Sequence, residues 1–319
     1  MRAIVYERYG GPERLELRDI AVPVPARGEV LVEVVATSIN LSDWEGLRGS
    51  PGYARIGGLF RPRRKVLGSD VAGRVVAVGD GVAEFAVGDE VFGDNLSKMG
   101  GFAEYVAAPE SALARKPPEL SFAEASTVPQ AGAIAAQAAA LAARGSRMLI
   151  NGAGGGSGSF MVQLAKTEGV HVTAVDNAGK LSFLRALGAD EVLDYRQVDF
   201  TRTGPYDLIV DLVAHRSVFA YRRALAEGGR CVVVGGTSRT VLRMVTIGAL
   251  LGRFTRRHLG LLIVHEGPAG FARVAELAAA GAIDIHIDRA FPLERVPEAL
   301  AWHGEGHAMG KVVVAVRGE

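Results

Sequence analysis

A chain of 319 residues has the length of about two domains, and its 49% hydrophobic content is enough to fill two cores. A net charge of +1 excludes a strongly basic nucleic-acid binder, and the single cysteine, Cys231, excludes an internal disulfide, in keeping with a reducing compartment. Forty-one glycines beside a 7% aromatic share fit an α/β protein with many tight turns. Residues 1–6 already read as a strand, so no signal peptide is expected. Further β-branched runs follow at 29–36, 71–78 and 104–107. Val22-Pro23-Val24-Pro25 is an extended link, because proline blocks helix and ladder alike. Two basic runs, residues 61–65 (RPRRK) and 253–258 (RFTRRH), read as solvated faces.

Helical periodicity begins near residue 122. A helix is expected over about 121–143, broken near its middle by Pro129. Its alanine-rich part, 131–143, contains Gln137 and is too short to span a bilayer. A soluble cytoplasmic protein with no membrane and no nucleic-acid partner is therefore expected. From residue 148 strands and helices alternate. Strands are expected over 148–151, 171–175, 191–193, 208–212 and 231–234, and helices over 158–168, 180–187 and 218–226. That rhythm implies a doubly wound parallel sheet. A helix near 270–280 leads back to strands, ending with 311–316. The expected organisation is a Rossmann dinucleotide-binding domain over 122–267. It is inserted in a β-rich domain made of 1–121 and 268–319, with the ligand cleft between them at the C-terminal ends of the parallel strands.

The most informative stretch is MLINGAGGGSGSFMVQLAK, residues 148–166. An apolar strand enters a glycine turn and an apolar helical pattern leaves it, with the spacing Ala153-x-Gly155-x-x-Gly158. Side chains here would keep a pyrophosphate away from the backbone N–H groups and from the positive end of the helix. Ala153, Gly154, Gly155, Gly156, Ser157 and Gly158 are thus candidate cofactor-binding residues. Asp176, with Asn177 beside it, ends the next strand, where an acid commonly bonds a ribose 2′-OH and favours NADH.

The order of motifs resembles the medium-chain dehydrogenase/reductase superfamily, in particular its zinc-free quinone oxidoreductases, the group of zeta-crystallin. The residues that carry the resemblance span nearly the whole chain. They include Asn40-Leu-Ser-Asp43, Val66-Leu-Gly-Ser-Asp70, Gly88-Asp-Glu-Val-Phe-Gly93, Gly101-Phe-Ala-Glu-Tyr-Val106, the glycine turn, Leu187-Gly-Ala-Asp190 and Gly310-Lys-Val-Val-Val314. The resemblance implies a GroES-like catalytic domain carrying the Rossmann domain. It also implies NADPH-dependent hydride transfer to a quinone or an α,β-unsaturated ketone, and a homodimer. A biosynthetic alkene reductase with a narrow substrate, or a non-catalytic NADPH-binding protein, is the alternative.

Zinc relatives place a cysteine near Asn40 and Gly-His-Glu at positions 68–70. Here those positions hold Asn40 and Gly68-Ser69-Asp70, and all seven histidines lie after residue 170, so no metal is expected. Lys180 and Tyr195 resemble the pair that holds the 2′-phosphate of NADPH in quinone oxidoreductases, which leaves Asp176 to bond a backbone amide; NADH remains the alternative cofactor. Asn40 matches a position near the nicotinamide, and Gly235 and Gly236 match backbone that passes close to it. Gly132 stands where the family has Gly-Leu-Thr, although this chain continues Ala133-Ile134. Asn40, Asp43 and Tyr53 are the catalytic candidates. Residues 50–65 look like a substrate lid, with Trp44 and Phe60 as candidates to line an apolar pocket.

Overall fold

The computed structural model describes residues 1–56 and 58–318 and divides into two units, Met1–Ala133 with His265–Glu319, and Ile134–Val264. In the first unit the β-branched runs become β1 (Arg2–Val5), β2 (Glu16–Asp19), β3 (Glu29–Ser38), β4 (Asp70–Val78), β5 (Glu90–Asp94), β6 (Tyr105–Pro109) and β7 (Leu113–Arg115). The long strand β3 is buried on both faces and is the spine of this unit. It pairs antiparallel with β4 along nearly all its length, and β6 pairs with its first half.

Helix α1 (Leu41–Arg48) follows β3 directly and was not legible in the periodicity. Its Ser, Asp and Gly are poor helix formers. A reciprocal capping box of Asn40 and Asp43 starts it, and left-handed Gly49 (φ 57°) ends it. The helix expected over 121–143 is two, α2 (Phe122–Thr127) and α3 (Pro129–Ala139), meeting at the proline. The boundary between units falls after Ala133 rather than after Ser121. The reason is physical. Phe122, Ala125, Ser126 and Thr127 are all buried, Ser38 Oγ donates to the Ser126 carbonyl at 2.8 Å, and the Gln130 amide donates to Asp70 Oδ1 at 3.0 Å. These bonds tie α2 and the start of α3 to the β-rich sheet.

The second unit runs β8 (Arg147–Asn151), α4 (Gly156–Thr167), β9 (His171–Asp176), α5 (Leu181–Ala186), β10 (Glu191–Asp194), β11 (Tyr206–Asp211), α6 (Val218–Ala224), β12 (Leu225–Val233), α7 (Ser238–Arg243), α8 (Ala249–Phe254) and β13 (His258–Leu261). Its six strands are all parallel in the order β10-β9-β8-β11-β12-β13. The chain reverses its direction of winding between β8 and β11, which is where doubly wound sheets bind ligands. Cys231 is buried in β12, where desolvation pushes its thiol well above the ordinary range, so it is an inert core residue.

The chain then returns to the first unit through α9 (Pro268–Ala279), β14 (Ile287–Pro292), α10 (Val296–Gly304) and β15 (Lys311–Ala315). Strand β14 runs parallel to β15, and β15 pairs antiparallel with the end of β3. That pairing brings Lys311 beside the start of α1. Among the described residues no helix is long and apolar enough to cross a membrane.

Candidate active site

The glycine turn sits at the C-terminal end of β8. Gly152 takes a left-handed φ of 81°, and the N–H groups of Gly152 and Ala153 donate to the Val175 carbonyl at 3.0 and 3.2 Å. Gly155 caps α4, which begins at Gly156, two residues before the expected start. The two motif glycines at 155 and 158 do different work. A Cβ on Gly158 would lie 2.5 Å from the carbonyl oxygens of Gly152 and Ala153, so only glycine lets the helix close on the turn. A Cβ on Gly155 would meet nothing nearer than the Gly152 carbonyl oxygen at 3.6 Å, so packing within the turn does not demand glycine there. The first N–H groups of α4, on Gly156, Ser157 and Gly158, have no partner inside the helix. With the helix dipole behind them, these are the kind of donors that bind a pyrophosphate.

At the end of β9, Asp176 is turned back onto this turn. Its Oδ2 accepts from the Gly154 amide at 2.9 Å, and its Oδ1 accepts from the Asn177 backbone and side-chain amides at 2.8 and 3.1 Å. Lys180 is buried, with its Nζ 3.8 Å from Asp176 Oδ1. A Cβ on Gly154 would strike the Lys180 side chain at 2.6 Å, so this glycine makes room for the lysine to lie across the turn. Tyr195 follows β10 next door, half-exposed, its amide donating to the Asp176 carbonyl at 3.1 Å. The Arg196 guanidinium stands 5.7 Å from the Tyr195 ring centroid. The turn, Asp176, Asn177, Lys180 and Tyr195 therefore form one group at one edge of the sheet.

The loops after β11 and β12 complete that edge. Gly235 and Gly236 are both left-handed (φ 71° and 99°), and a Cβ on Gly236 would lie 2.7 Å from that of Ala214. Asp211, fully buried at the end of β11, accepts from Asn151 Nδ2, Tyr221 Oη and the amides of Val213 and Ala214, all at 2.7–2.8 Å. It fixes the loop on which Gly236 rests.

In the first unit a buried polar network surrounds Asn40. Lys311 Nζ donates to Asn40 Oδ1 at 2.6 Å and lies 3.3 Å from Asp70 Oδ2. Asn40 Nδ2 donates to Asp70 Oδ2 at 2.8 Å and to Ser69 Oγ at 3.1 Å. Ser38 Oγ lies 3.0 Å from Asp70 Oδ2, sharing its one proton with the Ser126 carbonyl, and Gln130 Nε2 reaches Ser69 Oγ at 3.3 Å. Asn40 thus has its carbonyl and both amide hydrogens engaged within the protein. Asp43 is fully buried and accepts from the amides of Asn40 and Gly68, both at 2.9 Å; it holds the turn together. Asp94, at the end of β5, is pushed up to about 8, first by burial and then by the nearby Asp70 charge.

Tyr53 stands apart from this network. Its hydroxyl donates to Glu45 Oε1 at 3.2 Å; burial raises Glu45 to about 7 and the tyrosine above its ordinary range. Three other expected residues lie as follows. Gly132 is buried in α3, where its missing Cβ faces Val128 and Val274 at 3.2 Å, a packing role. Trp44 packs on Gly304 of α10, and Phe60 is 87% exposed.

Comparison with known proteins agrees with this architecture. Residues 26–118 match the family described as alcohol dehydrogenase GroES-like domain, and residues 187–314 match zinc-binding dehydrogenase. The chain is 32% identical to the chloroplastic quinone-oxidoreductase QR1 of Triphysaria versicolor, over 98% of each chain. It is 31% identical to the chloroplastic NADPH-dependent alkenal/one oxidoreductase of Arabidopsis thaliana, over 98% of this chain and 79% of that one. The structure of the quinone oxidoreductase from Coxiella burnetii superimposes with a TM-score of 0.90 at 29% identity, covering 99% of each chain. The chain belongs to the medium-chain dehydrogenase/reductase superfamily. Within it the chain falls in the quinone oxidoreductase-like branch, and it is an oxidoreductase of the kind that uses a pyridine nucleotide.

The side chains around Asn40 differ from the thiolate and imidazole donors that zinc sites use. They are a second amide, two hydroxyls, the carboxylates of Asp70 and Asp43, and an ammonium, with no thiolate or imidazole among them. Among the described residues no three His, Cys, Asp or Glu side chains gather as metal ligands. Sequence reasoning missed Lys311, Gln130, Asp94 and Asp211 as members of these sites. The available signal was a lysine and two aspartates at the ends of runs that otherwise read as buried strands.

Proposed function

We propose that this enzyme is an NADPH-dependent reductase that delivers hydride, without zinc, to a quinone or to the C=C bond of an α,β-unsaturated ketone. The observation that carries the proposal is the closed network of Asn40, Ser69, Asp70 and Lys311, which satisfies its own polar groups and so needs no metal to balance it. NADPH supplies the hydride when bound. The protein's part is to orient and to stabilise charge. The first amides of α4 take the pyrophosphate, and Gly235 and Gly236 let backbone approach the nicotinamide end. The Lys180 ammonium and the Tyr195 hydroxyl take the 2′-phosphate, for which a cation and a phenol are good donors. Asp176 supports this choice: its oxygens are engaged by Gly154 and Asn177, which favours a structural role over a bond to a ribose hydroxyl.

Asn40 serves as a positioning group, since its amide hydrogens already point to Ser69 and Asp70. A quinone that accepts hydride becomes a stabilised phenolate-like anion, and water suffices to protonate it. We also propose a homodimer formed along β13. This strand is an edge of its sheet, and Leu242, Val245, Leu250 and Phe254 stand exposed on the neighbouring helical segment.

The test is loss of reduced-nicotinamide absorbance with NADPH and with NADH, against ortho- and para-quinones and small enones, with and without a chelator. Turnover that prefers NADPH and ignores the chelator is the expected result. Tight NADPH binding without turnover on any acceptor would point to a narrow biosynthetic substrate or a non-catalytic role. Inactivation by the chelator would restore a zinc mechanism.

A further inference from the structure

The loop between α1 and β4 carries an unusual surface. Ile56, Leu59 and Phe60 are 84%, 64% and 87% exposed, and Arg61, Arg63, Arg64 and Lys65 follow them at once, all exposed. Among the described residues no carboxylate lies within ion-pair distance of Arg61, Arg63 or Arg64, and the nearest acid to Lys65 is Glu7 at 3.9 Å. Four unneutralised or weakly paired cations within five positions contrast with a net charge of only +1 for the whole chain.

The surface is firmly presented. Tyr9 Oη donates to the Gly58 carbonyl at 2.6 Å, and Arg55 Nε donates to the Gly49 carbonyl at 2.8 Å. The Arg55 guanidinium also lies 4.9 Å from the Tyr9 ring centroid. A Cβ on Gly58 would fall 2.4 Å from the Arg61 carbonyl oxygen, so the turn is tight, and Pro62 is buried beneath it. An exposed apolar tip on a tight, anchored turn gains nothing from facing water.

We infer that this loop docks the protein on an anionic lipid bilayer, the apolar tip entering the headgroup boundary and the arginines meeting the acidic headgroups. Apolar insertion and cationic attraction together are what a peripheral membrane contact requires, since either alone gives weak attachment. A soluble polyanion would meet the arginines and leave Ile56 and Leu59 uncovered, which disfavours it. This inference stands independently of the reductase reading.

The experiment is co-sedimentation of the full chain with phosphatidylcholine vesicles, with and without phosphatidylglycerol. The protein is expected to pellet only with the anionic vesicles, and less so as salt rises. The I56S/L59S/F60S and R61Q/R63Q/R64Q variants should each lose binding by about tenfold or more. Both should melt within a few degrees of the parent, since the six side chains are exposed. Absence of binding to phosphatidylglycerol vesicles would overturn the inference. So would undiminished binding by the serine variant, which marks a site for soluble polyanions, or a large fall in its melting temperature, which marks a packing element.

Discussion

Replacing Lys311 with methionine tests the network that organises the first unit. The ammonium is 3% exposed and its partner Asp70 is fully buried, 3.3 Å away. Methionine keeps most of the volume and removes the charge. Asp70 then keeps two neutral donors, Asn40 Nδ2 at 2.8 Å and the Gln130 amide at 3.0 Å, but loses the only cation bonded to it among the described residues. Asn40 Oδ1 also loses its 2.6 Å donor. Breaking a buried pair from one side costs about 3–5 kcal/mol, and the surviving hydrogen bonds place this case near about 3 kcal/mol. For a unit of this size that lowers Tm by roughly 6–12 °C. Both tryptophans, Trp44 and Trp302, lie in the first unit, so their fluorescence follows its unfolding separately from the second unit. The double variant K311M/D70N removes both charges and should recover at least about 1 kcal/mol over the additive expectation. A loss below about 1 kcal/mol in K311M, or strict additivity in the double variant, would refute the reasoning.

Three further outcomes are expected. Lys180→Ala should weaken NADPH by roughly 10- to 100-fold, the worth of a charged hydrogen bond, with little change for NADH; equal losses measured by fluorescence titration would remove the 2′-phosphate assignment. Gly158→Ala should lower the melting temperature, because its methyl would meet two carbonyl oxygens at 2.5 Å, whereas Gly155→Ala should leave melting unchanged and weaken cofactor binding through the space it fills. Asp94 holds its proton up to about 8 in the fold against an ordinary 3.8, so the folded state binds more protons than the unfolded one between those values. Its contribution to stability is therefore full below about 3.8 and falls as pH rises toward 8, by up to about 1.4 kcal/mol per pH unit; denaturation of Asp94→Asn across this range should show a shallower fall, and an identical slope would show that Asp94 does not titrate there.

The second unit was legible because its signals are local. A strand, a glycine turn and a helix follow one another directly; Gly158 answers to backbone a few positions away, at Gly152 and Ala153, and Gly154 to the side chain of Lys180, just past the next strand. Even the choice between a free and a tied Asp176 depended only on the neighbouring turn. Pro129 likewise announced the division of α2 from α3. The network of the first unit has no such locality. Lys311 and Asn40 are 271 positions apart and meet only because β15 pairs with the end of β3, where Asn40 waits to cap α1. Read singly, Asn40 is a turn residue, Asp70 the edge of an apolar run and Lys311 the polar start of a strand. Helix α1 was missed for a related reason: its own residues disfavour helix, and what forms it is the Asn40–Asp43 box together with the Gly68 amide that holds Asp43 from another segment. The same distance separates the membrane surface from its sequence. The basic run was visible, but whether Ile56, Leu59 and Phe60 turn inward or outward is decided by Tyr9 gripping the Gly58 carbonyl from 49 positions away. A strand, glycine turn and helix, written in glycine spacing, are thus readable from the chain alone. Functions that rest on a buried charge or a presented tip become readable only when the sheet has brought their parts together.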